Sequence, residues 1–203
     1  MRRLSVFWHD EPIGIRDARS AMAEARRDRP PFLPFSLEDA CRAAEEWGAN
    51  CGPAAIAAVM GMTLEQVRPY LGEFERKGYT NPTLMFETLD RIGRPWRRIG
   101  KAAPSFGLAR IQWEGPWTEP GVPARVAYRH SHWVGWCRRS RYGDEAVFDV
   151  NALGGPRVST RDRFDGWVCY AHWSTLVVPF ILANCEPKAN GRWHVTHGIE
   201  VEP

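Results

Sequence analysis

Among the cysteines and histidines of this 203-residue chain, one cysteine stands out by its setting. Trp47-Gly48-Ala49-Asn50-Cys51-Gly52-Pro53-Ala54-Ala55 places Cys51 between a loop and a small-residue helix, with Pro53 in the first helical turn. Unpaired N–H groups at a helix start favour an anion, so a thiolate is stabilised there and the thiol becomes a readier nucleophile near neutral pH. The N–H of Cys51 can also donate to the oxyanion that forms when a carbonyl is attacked. The alternative is that Cys51 only fills a small core site, as buried free cysteines do.

A thiolate nucleophile needs a base, and Arg129-His130-Ser131-His132-Trp133-Val134-Gly135-Trp136 puts a histidine at the head of an apolar strand. Alternation gives His130, His132, Val134 and Trp136 one face, and proximity to the strand favours His132 as the base. His130 reads as a surface or supporting histidine. The next strand, Glu145 to Asn151, follows a hairpin signal at Tyr142-Gly143-Asp144. It would bring Asp149 or Asn151 beside His132, where either could accept the Nδ1 hydrogen and hold the productive tautomer.

These segments carry a resemblance. N-C-G-P-A-A at 50–55, H-W-V at 132–134 and F-D-V-N at 148–151 look like the C39-like branch of the papain-fold cysteine peptidases, over roughly residues 40–152. The resemblance implies a papain-like fold, with Cys51 as nucleophile, His132 as general base and acid, and Asp149 orienting the histidine. It also implies hydrolysis of a peptide or isopeptide-like amide through a thioester, without a cofactor, in a bacterial or phage protein. One departure is clear: papain-like enzymes carry a glutamine shortly before the cysteine, whereas Glu45 and Glu46 stand here. A carboxylate there repels an oxyanion, so the expectation passes to Asn50 or to Gln112. Acyltransferase, transglutaminase or deamidase chemistry is an alternative, and so is an inactive papain-like binding module from a phage or mobile element.

The elements that must position these residues read as helices first and sheet second, an α+β pattern. Residues 1–35 read as an arm or covering segment and 36–203 as a single domain. Ser36 with Asp39 marks a helix start, closed near Trp47-Gly48, and Thr63 with Gln66 forms a second capping signal. Another helix runs from about 83 to 92, stopped by Gly93. After Pro95 come short strands near 96–99, 109–113, 124–128, 132–137 and 146–150, then a helix over about 172–184 and an alternating strand over 192–201.

Composition limits the competing readings. A formal charge of +3 nominates neither nucleic acid nor an anionic membrane as partner; the peptide or protein substrate is what the resemblance implies. The N-terminal stretch runs into charge before any leader-length apolar segment, and the expectation is a soluble, cytoplasmic chain with reduced thiols. Ten tryptophans invite ligand stacking, and Trp117 and Trp133 are candidates to line a substrate cleft. His130-x-His132 with Cys169-x-x-His172 offers zinc-type ligands, but neither pair has zinc-finger spacing and the first would consume the base, so no metal is expected. His194 and His197, three apart in a strand, should point to opposite faces.

Overall fold

The computed structural model describes residues 32–138, 145–154, 166–183 and 188–202. Helix α1 (Leu37–Trp47) begins with the reciprocal Ser36/Asp39 capping box, and Gly48, at φ +76°, ends it in the left-handed conformation. That reversal delivers Asn50, whose Oδ1 accepts the Gly52 N–H and caps α2 (Cys51–Met60). Everything in α2 from Gly52 to Val59 is buried, and this explains its composition. A helix surrounded on all sides has no room for long polar side chains, and its alanines allow close approach. A Cβ at Gly52 would collide with the Thr80 side chain.

Helix α3 (Leu64–Val67) has the Thr63/Gln66 box and continues as a 3-10 turn, Arg68–Tyr70. Helices α4 (Phe74–Lys77) and α5 (Pro82–Ile92) complete the helical half. Asn81 caps α5 and Gly93 ends it. Leu33 and Phe35 are buried in the same core, which therefore begins before residue 36. Residues 1–31 of the expected arm lie outside the described residues.

Six antiparallel strands follow among the described residues: β1 (Trp96–Arg98), β2 (Phe106–Trp113), β3 (Ser131–Cys137), β4 (Ala146–Phe148), β5 (Trp167–Cys169) and β6 (Trp193–Val201). Their order is β1-β6-β2-β3-β4-β5, an open sheet that makes the chain α+β. Every residue of β2 is buried, because both faces are covered. Phe106, Leu108, Trp133, Phe148 and Ile199 pack with the N-terminal helices. Ala109, Ile111, Val134, Trp136 and Val147 face the other way, onto Trp173, Val177 and Val178. These last three belong to a helical run made of α8 (Tyr170–His172), a π turn (Trp173–Val177) and α9 (Val178–Ala183). Burying each such branched or aromatic side chain stabilises the fold by roughly 1.5–3 kcal/mol before entropy is counted.

Three sequence expectations change. The stretch expected as a strand at 124–128 is helical, α6 (Ala124–Ala127) passing into a 3-10 turn, Tyr128–His130. Its Val126 and Tyr128 are exposed, so β-branched and aromatic side chains gain nothing from a sheet there. The strand expected at 146–150 stops at Phe148, and α7 (Val150–Gly154) begins at once. The short strand β5 was not foreseen. The hairpin signal at 142–144 lies outside the described residues. Among the described residues no helix is long and apolar enough to cross a membrane.

Candidate active site

The site forms where β3 loses its neighbour. Strand β4 pairs only with Gly135, Trp136 and Cys137, so the head of β3 has no β4 partner along that edge. The start of α2 lies against it. The Trp133 N–H donates to the Cys51 sulfur, and a side-chain hydrogen bond joins Cys51 to His132. Cys51 is half-buried, while His132 is buried at 7% exposure.

Asp149 directly follows the last residue of β4, and it is wholly buried. Its Oδ1 lies 2.9 Å from His132 Nε2 and accepts from the Asn151 N–H and Nδ2, both at 3.0 Å. Its Oδ2 accepts from Trp173 Nε1–H at 2.9 Å. A carboxylate only accepts, so Nε2 carries the proton toward it. The expectation had Nδ1 in that role, and the structure reverses the two nitrogens: Nδ1 is left to meet the thiol. Asn151, the alternative orienting residue, instead bonds Asp149 and helps fix its carboxylate.

The electrostatics reinforce one another. Burial pushes the Cys51 thiol up, but the charge of His132, its hydrogen bond and the Trp133 N–H together bring it below its ordinary 9.0. Burial pulls His132 down, and the charges of Asp149 and Cys51 with their hydrogen bonds outweigh it, raising the imidazole well above 6.5. Burial likewise raises Asp149, and His132, Trp173 and Asn151 reverse that, leaving it below 3.8. Both directions favour an imidazolium–thiolate pair at neutral pH.

The oxyanion expectations change. Gln112 is buried on β2, and its Nε2 donates to the carbonyls of Trp113 (3.0 Å) and His130 (2.9 Å), which uses both amide hydrogens. It has none left for an oxyanion. Asn50 is spent on structure as well: besides capping α2, its Nδ2 donates to the Gly78 carbonyl at 3.0 Å. Glu45 and Glu46 are exposed on α1 and do not press on the thiol. Trp117 and Trp133 are each 3% exposed and donate their indole N–H to the carbonyls of Trp113 and Thr80. They are packed interior residues and do not line a cleft.

His130 stacks on Trp117 with ring centroids 3.6 Å apart, away from the strand. His194 and His197 share a face after all. A bulge at Thr196 pairs His197 with Arg110 and His194 with Gln112, and this extra residue shifts the alternation. His194 also bonds Glu114 at 3.0 Å. Among the described residues no three His, Cys, Asp or Glu side chains group as a metal site.

Two residues escaped the sequence reading. Trp173 sits in a segment legible only as helix, and its bond to Asp149 depends on tertiary packing. Arg110 lies mid-strand in β2, 4% exposed, with Nη2 donating to Ser131 Oγ at 2.7 Å and Nη1 to Thr196 Oγ1 at 3.5 Å. Its interrupted apolar strand, Leu108-Ala109-Arg110-Ile111, was the available signal.

In comparison with known proteins, no family model matches the chain, and neither a curated protein nor a solved structure matches it.

Proposed function

We propose that the chain is a papain-like cysteine hydrolase acting on a peptide or isopeptide-like amide. The observation that carries this reading is the run of contacts Cys51–His132–Asp149, with the sulfur at the start of α2 and the imidazole on β3. His132 Nδ1 takes the thiol proton, and the thiolate adds to the amide carbon. The Cys51 N–H donates to the resulting oxyanion. Collapse breaks the C–N bond as His132 returns the proton to the departing amine, leaving a thioester on Cys51. Water, deprotonated by the same imidazole, releases the acid; an amine in its place gives acyl transfer. Asp149 stays ionised throughout and stabilises the imidazolium.

The test is the rate of Cys51 alkylation by iodoacetamide against pH, followed by peptide mapping. The expected wild-type profile keeps a fast thiolate reaction well below the free-cysteine value of about 8.5, and His132→Ala returns it to an ordinary thiol profile. An ordinary profile in the wild type, unchanged by His132→Ala, sinks the reading. One observation favours a second reading, a binding scaffold of the same shape: both side-chain amides expected at the oxyanion are bonded to backbone carbonyls. Binding of a partner that survives Cys51→Ala, with no turnover by the wild type, would decide for it.

A further inference from the structure

The guanidinium of Arg110 is a cation placed inside the protein with no carboxylate partner among the described residues. Buried charges are ordinarily paired, because removing an ion from water is costly. Arg110 is 4% exposed, yet among the described residues no Asp or Glu pairs with it. Its two hydrogen-bond acceptors are the neutral hydroxyls of Ser131 and Thr196, and its Nε–H is buried with no acceptor. The group stacked over it is the Tyr128 ring, 5.2 Å from the guanidinium carbon. Tyr128 is itself 60% exposed, so the cation lies one side chain below the surface.

Its place in the sheet relates it to the reactive sulfur. Arg110 is the cross-strand partner of Trp133, the residue whose N–H bonds Cys51. Directly paired residues share a face, and Trp133 packs on the face that carries α2. Arg110 also feels the charge of Cys51 directly. His197, its partner on β6, brings no counter-charge: burial and the positive charges of Arg110 and Arg98 hold its imidazole below the usual 6.5. The N-terminal end of α2 contributes the same sign. A buried cation without a counter-charge among the described residues, set beside a nucleophile, fits an anionic group on the substrate.

We propose that Arg110 forms a carboxylate-binding subsite beside Cys51, so that the substrate carries an acidic group next to the amide that Cys51 attacks. The proposal rests on Cys51 being the reactive centre. The guanidinium fork suits a carboxylate, which can take two of its N–H groups at once. Both an Asp or Glu side chain and a chain-terminal carboxylate present this chemistry.

The experiment compares iodoacetate, which carries the carboxylate, with iodoacetamide, its neutral counterpart, on the full chain. Exposed Cys41 serves as the internal reference. The iodoacetate-to-iodoacetamide rate ratio at Cys51 is expected to exceed that at Cys41. Arg110→Gln should lower the Cys51 ratio about tenfold, the effect of losing one charge-assisted hydrogen bond, while Arg110→Lys keeps most of it. An unchanged ratio in Arg110→Gln overturns the proposal, and so does an equal slowing of both reagents, which marks a structural role. If Arg110→Gln does not fold, protection of wild-type Cys51 from iodoacetamide decides the matter. N-acetylaspartate α-amide offers only a side-chain carboxylate, N-acetylalanine only a terminal one, and N-acetylasparagine amide neither. Protection by either acid beyond the amide supports the subsite and identifies the source; equal or no protection overturns it. An ordinary iodoacetamide pH profile at Cys51 refutes the enzymatic reading separately, since the ratio is measured at any reactivity.

Discussion

Removing the Cys51 thiol should give the protein a pH dependence of stability that the wild type lacks. His132 has a folded pKa raised above 6.5 by Asp149 and Cys51 against the pull of burial. Above pH 6.5 the folded state therefore holds a proton that the unfolded state has released, and stability falls as pH rises through the folded value. Cys51 has the opposite sign. Its folded pKa lies below 9.0, so between that folded value and 9.0 the unfolded chain holds the extra proton, and stability rises with pH. Where both hold, the imidazolium–thiolate pair carries the same number of protons as the neutral pair in the unfolded chain. The two slopes cancel. In Cys51→Ala only the histidine slope is left, because Asp149 still raises the imidazole. The unfolding free energy of the variant, relative to wild type, should drop by up to about 1.4 kcal/mol per pH unit from 6.5 upward, until the imidazole deprotonates. His130 and His197, which burial holds below 6.5, are common to both proteins and drop out of the difference. Urea unfolding followed by tryptophan fluorescence, at fixed pH values from 6 to 9, measures this directly. Parallel stability curves for the two proteins would refute the coupled pair.

Three further outcomes follow from the packing. Trp173→Phe keeps most of the buried ring but removes the N–H that reaches Asp149, and should cost about 1.5–3 kcal/mol in urea unfolding; a loss under 0.5 kcal/mol would show the bond to be idle. Gly52→Ala drives a methyl into the Thr80 side chain beneath the site, and a destabilisation of about 1–3 kcal/mol is expected in the same assay, against no change if that wall yields freely. Ser36→Ala breaks the α1 capping box far from Cys51, so the melting temperature should fall with a loss of about 1 kcal/mol while Cys51 alkylation keeps its rate.

The helical half was readable because its boundaries are local. Ser36 with Asp39, Thr63 with Gln66, and Gly48 and Gly93 each act within a few residues, and the structure realises each as a cap or a stop. Cys51 and His132 were legible for a similar reason: one opens a helix and the other heads a strand. What the sequence concealed depends on contacts far along the chain. Val126 and Tyr128 favour strand by residue type, but no sheet receives them. Gln112 offered a suitable amide, and only the fold shows that two backbone carbonyls occupy it. The nitrogen of His132 that meets Asp149 depends on how the imidazole is approached from β4 and from α2, which alternation along β3 cannot encode. Thr196 carries no sign of the bulge that places His194 and His197 on one face.

The π turn at Trp173–Val177 has a consequence for insertions and deletions. Val178 N–H bonds the Trp173 carbonyl five residues back, so this turn holds one residue more than an α-helical turn would. The indole that grips Asp149 is thus set in phase with Val177 and Val178 by chain length as well as by residue type. Deleting a single residue here lets the turn relax to ordinary α-helix. Five residues of π turn advance by nearly the same angle as four of α-helix, so the segments on either side keep their phase. The indole can then still reach the carboxylate while the two valines stay packed, so the run should absorb the loss of one residue inside the π turn, whereas a deletion in regular α-helix rotates its flanks by about 100°.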